Sequence, residues 1–203
     1  PGPVFTLDPS VPAEIGPISW LLGVWEGTGV IDYPLGDERL TAEFGQRVSF
    51  SHDGLGYLNY SSTTWLWDEA GERIPHLSET GYWRLRRALG PADAGPGLLP
   101  GVGERTFTTA DEVETLRSPE GAFELEVSIV HPDGVSELYL GPVRAGRIDL
   151  ATDAVMRSST AKEIAAGTRL YGLVDGHLLW AWDIAAFGQE LRSHASARLA
   201  RAE

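Results

Sequence analysis

The chain has no cysteine and a single methionine. Without thiols there is no disulfide, no zinc–thiolate site and no iron–sulfur cluster. Metal or nucleophilic chemistry must use His, Asp, Glu, Ser, Thr, Tyr or Lys. Lack of cysteine fits a reducing cytoplasm, and a cytoplasmic location is expected. Lysine is nearly missing too: of 16 basic residues only Lys162 is one. Basic charge is outweighed by 29 acidic residues, giving a net charge of −13. A field of that sign repels nucleic acid and anionic lipid, so neither is an expected partner. No apolar run approaches the roughly 18 residues of a transmembrane helix. The N-terminus shows no basic stretch followed by an apolar core, so no secretory leader is expected. The chain starts at Pro1 rather than Met, which is compatible with a leader already removed.

What is present is β texture. Residues 1–18 carry Pro1, Pro3, Pro9, Pro12 and Pro17, a spacing that disfavours regular helix or central strand and predicts an extended tail. From Trp20 onward, segments rich in Val, Ile, Tyr, Trp and Thr alternate with Gly, Asp and Pro turns. Strands are expected over 24–31, 46–51, 57–67, 80–87, 112–116, 123–131, 135–141, 147–152, 168–174 and 178–184. Residues 190–201 read as a strand or a short helix. Asp133-Gly134 and Asp175-Gly176 fit hairpin turns. No long stretch repeats at helical spacing, which argues against a parallel βαβ architecture. The expected fold is all-β: one antiparallel domain over 19–203, a barrel or sandwich, with closure into a barrel removing exposed edges. Residues 88–104, rich in Gly and Pro, form a long loop, mobile or folded over a rim.

The strongest local signal is Gly23-Val24-Trp25-Glu26-Gly27-Thr28-Gly29, a Gly-x-Trp-x-Gly-x-Gly run. Its architectural reading has Trp25 plugging one end of the core while the glycines permit tight coiling of a strand. Its functional reading has Gly23, Gly27 and Gly29 letting a flat ligand approach the backbone. Of the histidines, His52 before Asp53-Gly54 reads as a turn residue or a pocket-lining one. His131 before Pro132-Asp133-Gly134 and His177 after Asp175-Gly176 read as turn residues. No zinc-enzyme spacing occurs. A buried Glu79–Arg pair would be mainly architectural. Trp65/Trp67 and Trp180/Trp182 each share a strand face, fitting a ligand cage, core packing or a subunit face of a homodimer.

The glycine motif followed by Tyr33-Pro34 resembles the nitrobindin family. Four further blocks stand in the same order: Phe50-Ser51-His52-Asp53-Gly54, Ser78-Glu79-Thr80-Gly81-Tyr82-Trp83-Arg84, Thr160-Ala161-Lys162-Glu163, and Gly188-Gln189-Glu190-Leu191-Arg192-Ser193-His194. Together they run from about Trp20 to Arg201. The resemblance implies a ten-stranded, up-and-down, fatty-acid-binding-protein-like barrel with a small-molecule ligand in its cavity. It implies ferric heme b, with His194 at the position of the axial iron ligand and Lys162 pairing with a propionate. His52 and Leu77 would line the distal side. The implied activity is isomerisation of peroxynitrite to nitrate, or nitric oxide binding.

This chain departs from the family pattern in three places. Leu77 stands where the family has a histidine, and His76 lies one residue earlier, which in a strand flips the side chain to the other face. Tyr33-Pro34-Leu35-Gly36 replaces a Tyr-Pro-Thr-Ile run, removing a hydroxyl. Read as a regular strand, the last segment puts Leu191, Ser193, Ala195, Ala197 and Leu199 on one face, and Arg192, His194, Ser196 and Arg198 on the other. The apolar face should point inward, leaving His194 outside. Those departures keep two alternatives open. One is a heme-free carrier of a lipid or other apolar molecule, its head group paired with Arg84, Arg86 or Arg169. The other is a structural or interaction barrel.

Overall fold

Alternation along the strands builds this protein. In a computed structural model that describes residues 10–35 and 37–202, Phe123, Leu125, Val127 and Ile129 are buried, while Glu124, Ser128 and Val130 are exposed. That period-two pattern gives each strand one face for the core and one for water. The strands are β1 (Gly23–Leu35), β2 (Glu38–Ser51), β3 (Tyr57–Trp67), β4 (Arg73–Leu85), β5 (Phe123–Val130), β6 (Val135–Arg144), β7 (Arg147–Arg157), β8 (Ile164–Val174), β9 (His177–Ala186) and β10 (Arg192–Arg201). Sequence neighbours pair antiparallel, and β1 pairs with β10 to close the ring. The expected ten-stranded up-and-down barrel therefore forms. At the β8–β9 hairpin Asp175 and Gly176 have φ of 50° and 74°, the two positive values of a type I′ turn.

Two local expectations are corrected and one open alternative is decided. Residues 112–116 are not a strand; α1 (Ala110–Glu114) occupies that region. Thr109 caps it, its side chain accepting from Glu112 N while Glu112 reaches back, a capping box. Residues 13–18 are not extended tail, because Ala13–Leu21 forms a 3-10 helix that contains Pro17. Residues 1–9 of that tail lie outside the described residues. The last segment is strand β10 rather than helix.

The 3-10 helix closes one end of the barrel. Ile15, Ile18 and Leu21 have no exposed surface, each burial contributing about 1.5–3 kcal/mol. Trp25 sits beneath them, fully buried, with Nε1 donating to the Leu21 carbonyl at 2.8 Å. The Arg201 guanidinium lies 4.3 Å from the Trp25 ring. A Cβ on Gly27 would strike the Arg198 carbonyl oxygen, and one on Gly29 the Ser196 carbonyl oxygen. The glycine motif thus lets β1 pack tightly against β10, which is its architectural reading. The 88–104 loop is anchored at this end too. Arg87 donates to Glu14 at 2.5 Å and to Asp93 at 2.7 Å.

Candidate functional site

At the opposite end the large apolar side chains give way to polar ones, and a cavity of about 230 Å³ remains. Ile31, Phe44, Leu77, Trp180 and Trp182 supply its apolar walls, and Gln46, Ser62, Thr64, Glu79, His131 and Arg169 its polar ones. A larger groove of about 690 Å³ involves residues such as Thr28, Val30, Leu170 and Leu179. Exposed Thr28, Val30 and Leu170 place it on the outer face of the barrel. It holds no histidine, so the inner cavity is where the chemistry concentrates.

His194 enters this cavity because β10 is irregular. The pairing of β10 with β9 shifts between Ser193, opposite Asp183, and Ala195, opposite Trp182. The extra residue of that bulge is His194. A bulge re-aims one side chain relative to strict alternation, so His194 shares the inner face with Ala195, Ala197 and Leu199. This corrects the expectation that it points outward. Its Nδ1 is buried and has no hydrogen-bond partner among the described residues. Burial pushes its pKa below 6.5, and the Arg169 charge pushes the same way.

The cavity floor is a buried ion cluster. Arg169, 3% exposed, donates to both oxygens of Glu79 at 2.6 and 2.9 Å. Tyr60 Oη also donates to Glu79, at 2.6 Å. Burial pushes the Glu79 carboxyl up, but the Arg169 guanidinium overrides it and holds the pKa at about 2. Burial likewise works against the Arg169 charge, and Glu79 outweighs it. Tyr60 is pushed well above its ordinary value, by burial first and then by the Glu79 charge. His131 Nε2 lies 2.8 Å from Glu137 Oε2, and its Nδ1 lies 3.5 Å from Glu79. Glu137 also stands 3.7 Å from Arg169. Two carboxylates thus surround one guanidinium and one imidazole.

Residues 14–201 match the family model of the THAP4-like, heme-binding β-barrel domain. The chain belongs to the nitrobindin family. Within it, the chain is 66% identical over 193 residues to a protein of Leifsonia xyli subsp. xyli named peroxynitrite isomerase, the match covering 95% of this chain and 96% of that relative. A protein of the same name from Clavibacter michiganensis is 61% identical over the same shares. The crystal structure of Rv2717c from M. tuberculosis superposes with a TM-score of 0.67 at 25% identity, over 95% of this chain and 99% of that one.

In this nitrobindin-family barrel the residues expected at the site scatter. His194 and Leu77 both line the cavity. So does His76, because the β3–β4 pairing shifts between Thr63 and Trp65, opposite Ser78 and Pro75. The expected loss of the His76 imidazole by a simple flip of face is corrected: at this irregularity both neighbours reach the mouth. His52 does not join them. It follows β2 at the closed end, with its Nδ1 accepting from Gly54 N at 3.1 Å. Lys162 is exposed in the β7–β8 turn, on the rim of the cavity end. None of residues 88–104 lines the cavity.

Sequence reasoning missed His131 and undervalued Trp182. His131 stands at the end of β5, and its Pro-Asp-Gly sequel is a true turn signal. That signal describes the backbone and says nothing of a side chain turned inward. Of the three arginines considered for the interior, Arg169 is the buried one, while Arg84 pairs with Glu126 on the outside at 2.5 Å. Among the described residues no helix is long and apolar enough to cross a membrane.

Proposed function

We propose that this protein is a peroxynitrite isomerase that works with ferric heme b held at the open end of the barrel. The observation that carries this reading is His194, which the β10 bulge turns into the cavity. Its buried Nδ1 leaves Nε2 as the nitrogen available to a metal. The neighbouring surface suits a flat apolar macrocycle: Ile31, Phe44, Leu77, Trp180 and Trp182 present apolar faces. Family membership and the names of the relatives point the same way. A cavity of about 230 Å³ is smaller than the roughly 300–1,000 Å³ of pockets that enclose a ligand. Part of a bound macrocycle would therefore stay in solvent, where Lys162 on the rim would offer an ammonium to a propionate. His52, at the far end, has no part in this site.

Bound heme would supply a ferric Lewis acid for a small anion. Peroxynitrite and nitrate contain the same atoms and carry the same charge. The chain need therefore supply neither electrons nor a net proton. Its own work is to keep His194 uncharged, by burial and by the Arg169 cation, and to exclude water with apolar walls.

The carrier reading is disfavoured by the ion cluster. An interior arginine that captured a lipid carboxylate would need a free guanidinium face, yet Arg169 already holds Glu79 by two hydrogen bonds. The test is absorption titration with ferric hemin, on the native protein and on His194→Ala. A saturable Soret band at one heme per chain, lost in the variant, is expected, followed by faster peroxynitrite decay in stopped flow. No specific band, or one that survives His194→Ala, overturns the assignment.

A further inference from the structure

Among the described residues, nothing hydrogen-bonds the buried Nδ1 of His194. Metal-ligating histidines almost always donate their second ring N–H to a carboxylate, carbonyl or water, which fixes the tautomer and the ring plane. Here Nδ1 is buried and no such partner reaches it. Two aromatic rings flank the imidazole instead. Trp182 and Tyr33 each meet the imidazole in a T-shaped contact, centroids 5.3 Å apart, at 85° and 83°.

Trp182 is itself firmly fixed. The Arg169 guanidinium lies 4.3 Å from its ring centroid, a cation–π contact within the usual range. The His131 imidazole stacks on it, nearly parallel at 10° with centroids 6.0 Å apart. Arg169 and His131 are in turn held by Glu79 and Glu137. A continuous set of contacts therefore runs from the buried ion cluster through Trp182 to His194. Edge-to-face pairs have a definite preferred geometry, so this contact restrains rotation of the imidazole about its own bonds.

We propose that Trp182 is a positioning residue that sets the ring plane of His194 for axial ligation, in place of the hydrogen-bonded partner such histidines ordinarily have. The proposal rests on the heme reading of the site. It assigns the buried ion cluster a task beyond stability: holding the indole that holds the ligand.

Three proteins test it: native, Trp182→Leu and Trp182→Phe. Each is titrated with ferric hemin, and the ferric EPR spectrum is recorded at saturation. The leucine variant should bind hemin about ten- to a hundredfold more weakly, the usual effect of losing a supporting residue. Its EPR signal should split into several species as the imidazole plane varies. The phenylalanine variant keeps an aromatic edge and should restore a single signal. A folded leucine variant with native hemin affinity and a native spectrum overturns the proposal. Should leucine fail to fold, Trp182→Met fills the volume without a planar edge and takes its place.

A heme-free measurement separates this proposal from the reading beneath it. In native protein the His194 ring protons should give one set of NMR resonances shifted by the neighbouring ring currents. In the leucine variant they should move toward averaged positions. Identical His194 shifts in both overturn the positioning role. If the native protein shows no specific Soret band, the heme reading fails, while these spectra still decide whether Trp182 orients His194.

Discussion

Glu79 on β4 and Arg169 on β8 meet inside the barrel through two hydrogen bonds of 2.6 and 2.9 Å. They lie 90 residues apart in the chain. Each is compensated in the interior chiefly by the other, since a buried charge left alone is strongly unfavourable. Glu79→Gln should therefore destabilise the protein by roughly 3–5 kcal/mol. Urea unfolding of both proteins at neutral pH measures it; a loss below ~1 kcal/mol would mean that water reaches Arg169.

The same pair predicts acid sensitivity. Glu79 has a folded pKa of about 2 against an ordinary 4.5. A lowered carboxylate pKa contributes stability that is present above the unfolded value and lost as pH falls toward the folded one. The window is thus pH 4.5 down to about 2, and the contribution is about 3 kcal/mol. Unfolding free energies at pH 7, 4 and 3 should fall faster for the native protein than for Glu79→Gln. Parallel curves would contradict the assignment.

Removing the bulge should turn His194 out of the cavity. Deletion of Ser193 restores regular alternation, which places the residue before Ala195 on the outer face. Far-UV circular dichroism should stay that of a barrel, while specific hemin binding disappears. Retained binding with native affinity would show that the bulge is not what aims the imidazole.

Gly27→Ala tests the architectural role of the glycine motif. The new methyl group meets the Arg198 carbonyl oxygen and the Leu199 Cα, backbone atoms that cannot swing aside. Overpacking of this kind costs about 1–3 kcal/mol. Thermal melts should show the loss, and the folded fraction should bind hemin with native affinity, because the collision is remote from His194. A selective loss of hemin affinity would instead support the glycines as a ligand platform.

The resemblance that ordered blocks carry was legible from residue order, and with it the ten-stranded barrel. Of the ten strands read from the residues themselves, nine form, and β10 reads equally as strand or helix. Turn dipeptides such as Asp175-Gly176 were legible because two positive φ values exclude most other residues. The capping box Thr109-x-x-Glu112 was also written in the chain, and reading it would have replaced the expected strand at 112–116 with α1. Helical content at Ala13–Leu21 was harder to foresee, because 3-10 geometry accepts a proline that a longer α-helix would not. Position 194 was found by its place in a motif, against the alternation of its own strand. Nothing near Ser193 marks the bulge, since no glycine is present.

By itself the sequence determined an antiparallel all-β domain and the plugging of one end by Trp25 beside its glycines, through local regularities: period-two alternation, turn residues and side-chain size. The choice of barrel over sandwich came with the family resemblance, which the ordered blocks carry. Tertiary structure alone decided that His131 faces inward, that Arg169 rather than Arg84 or Arg86 is the interior cation, and that Trp182 meets His194. The meeting of Arg169 with Glu79 depends on register between strands distant in the chain, and the Trp182–His194 contact depends on the bulge between the neighbouring strands β9 and β10. A shift of one residue in that register exchanges the inside for the outside.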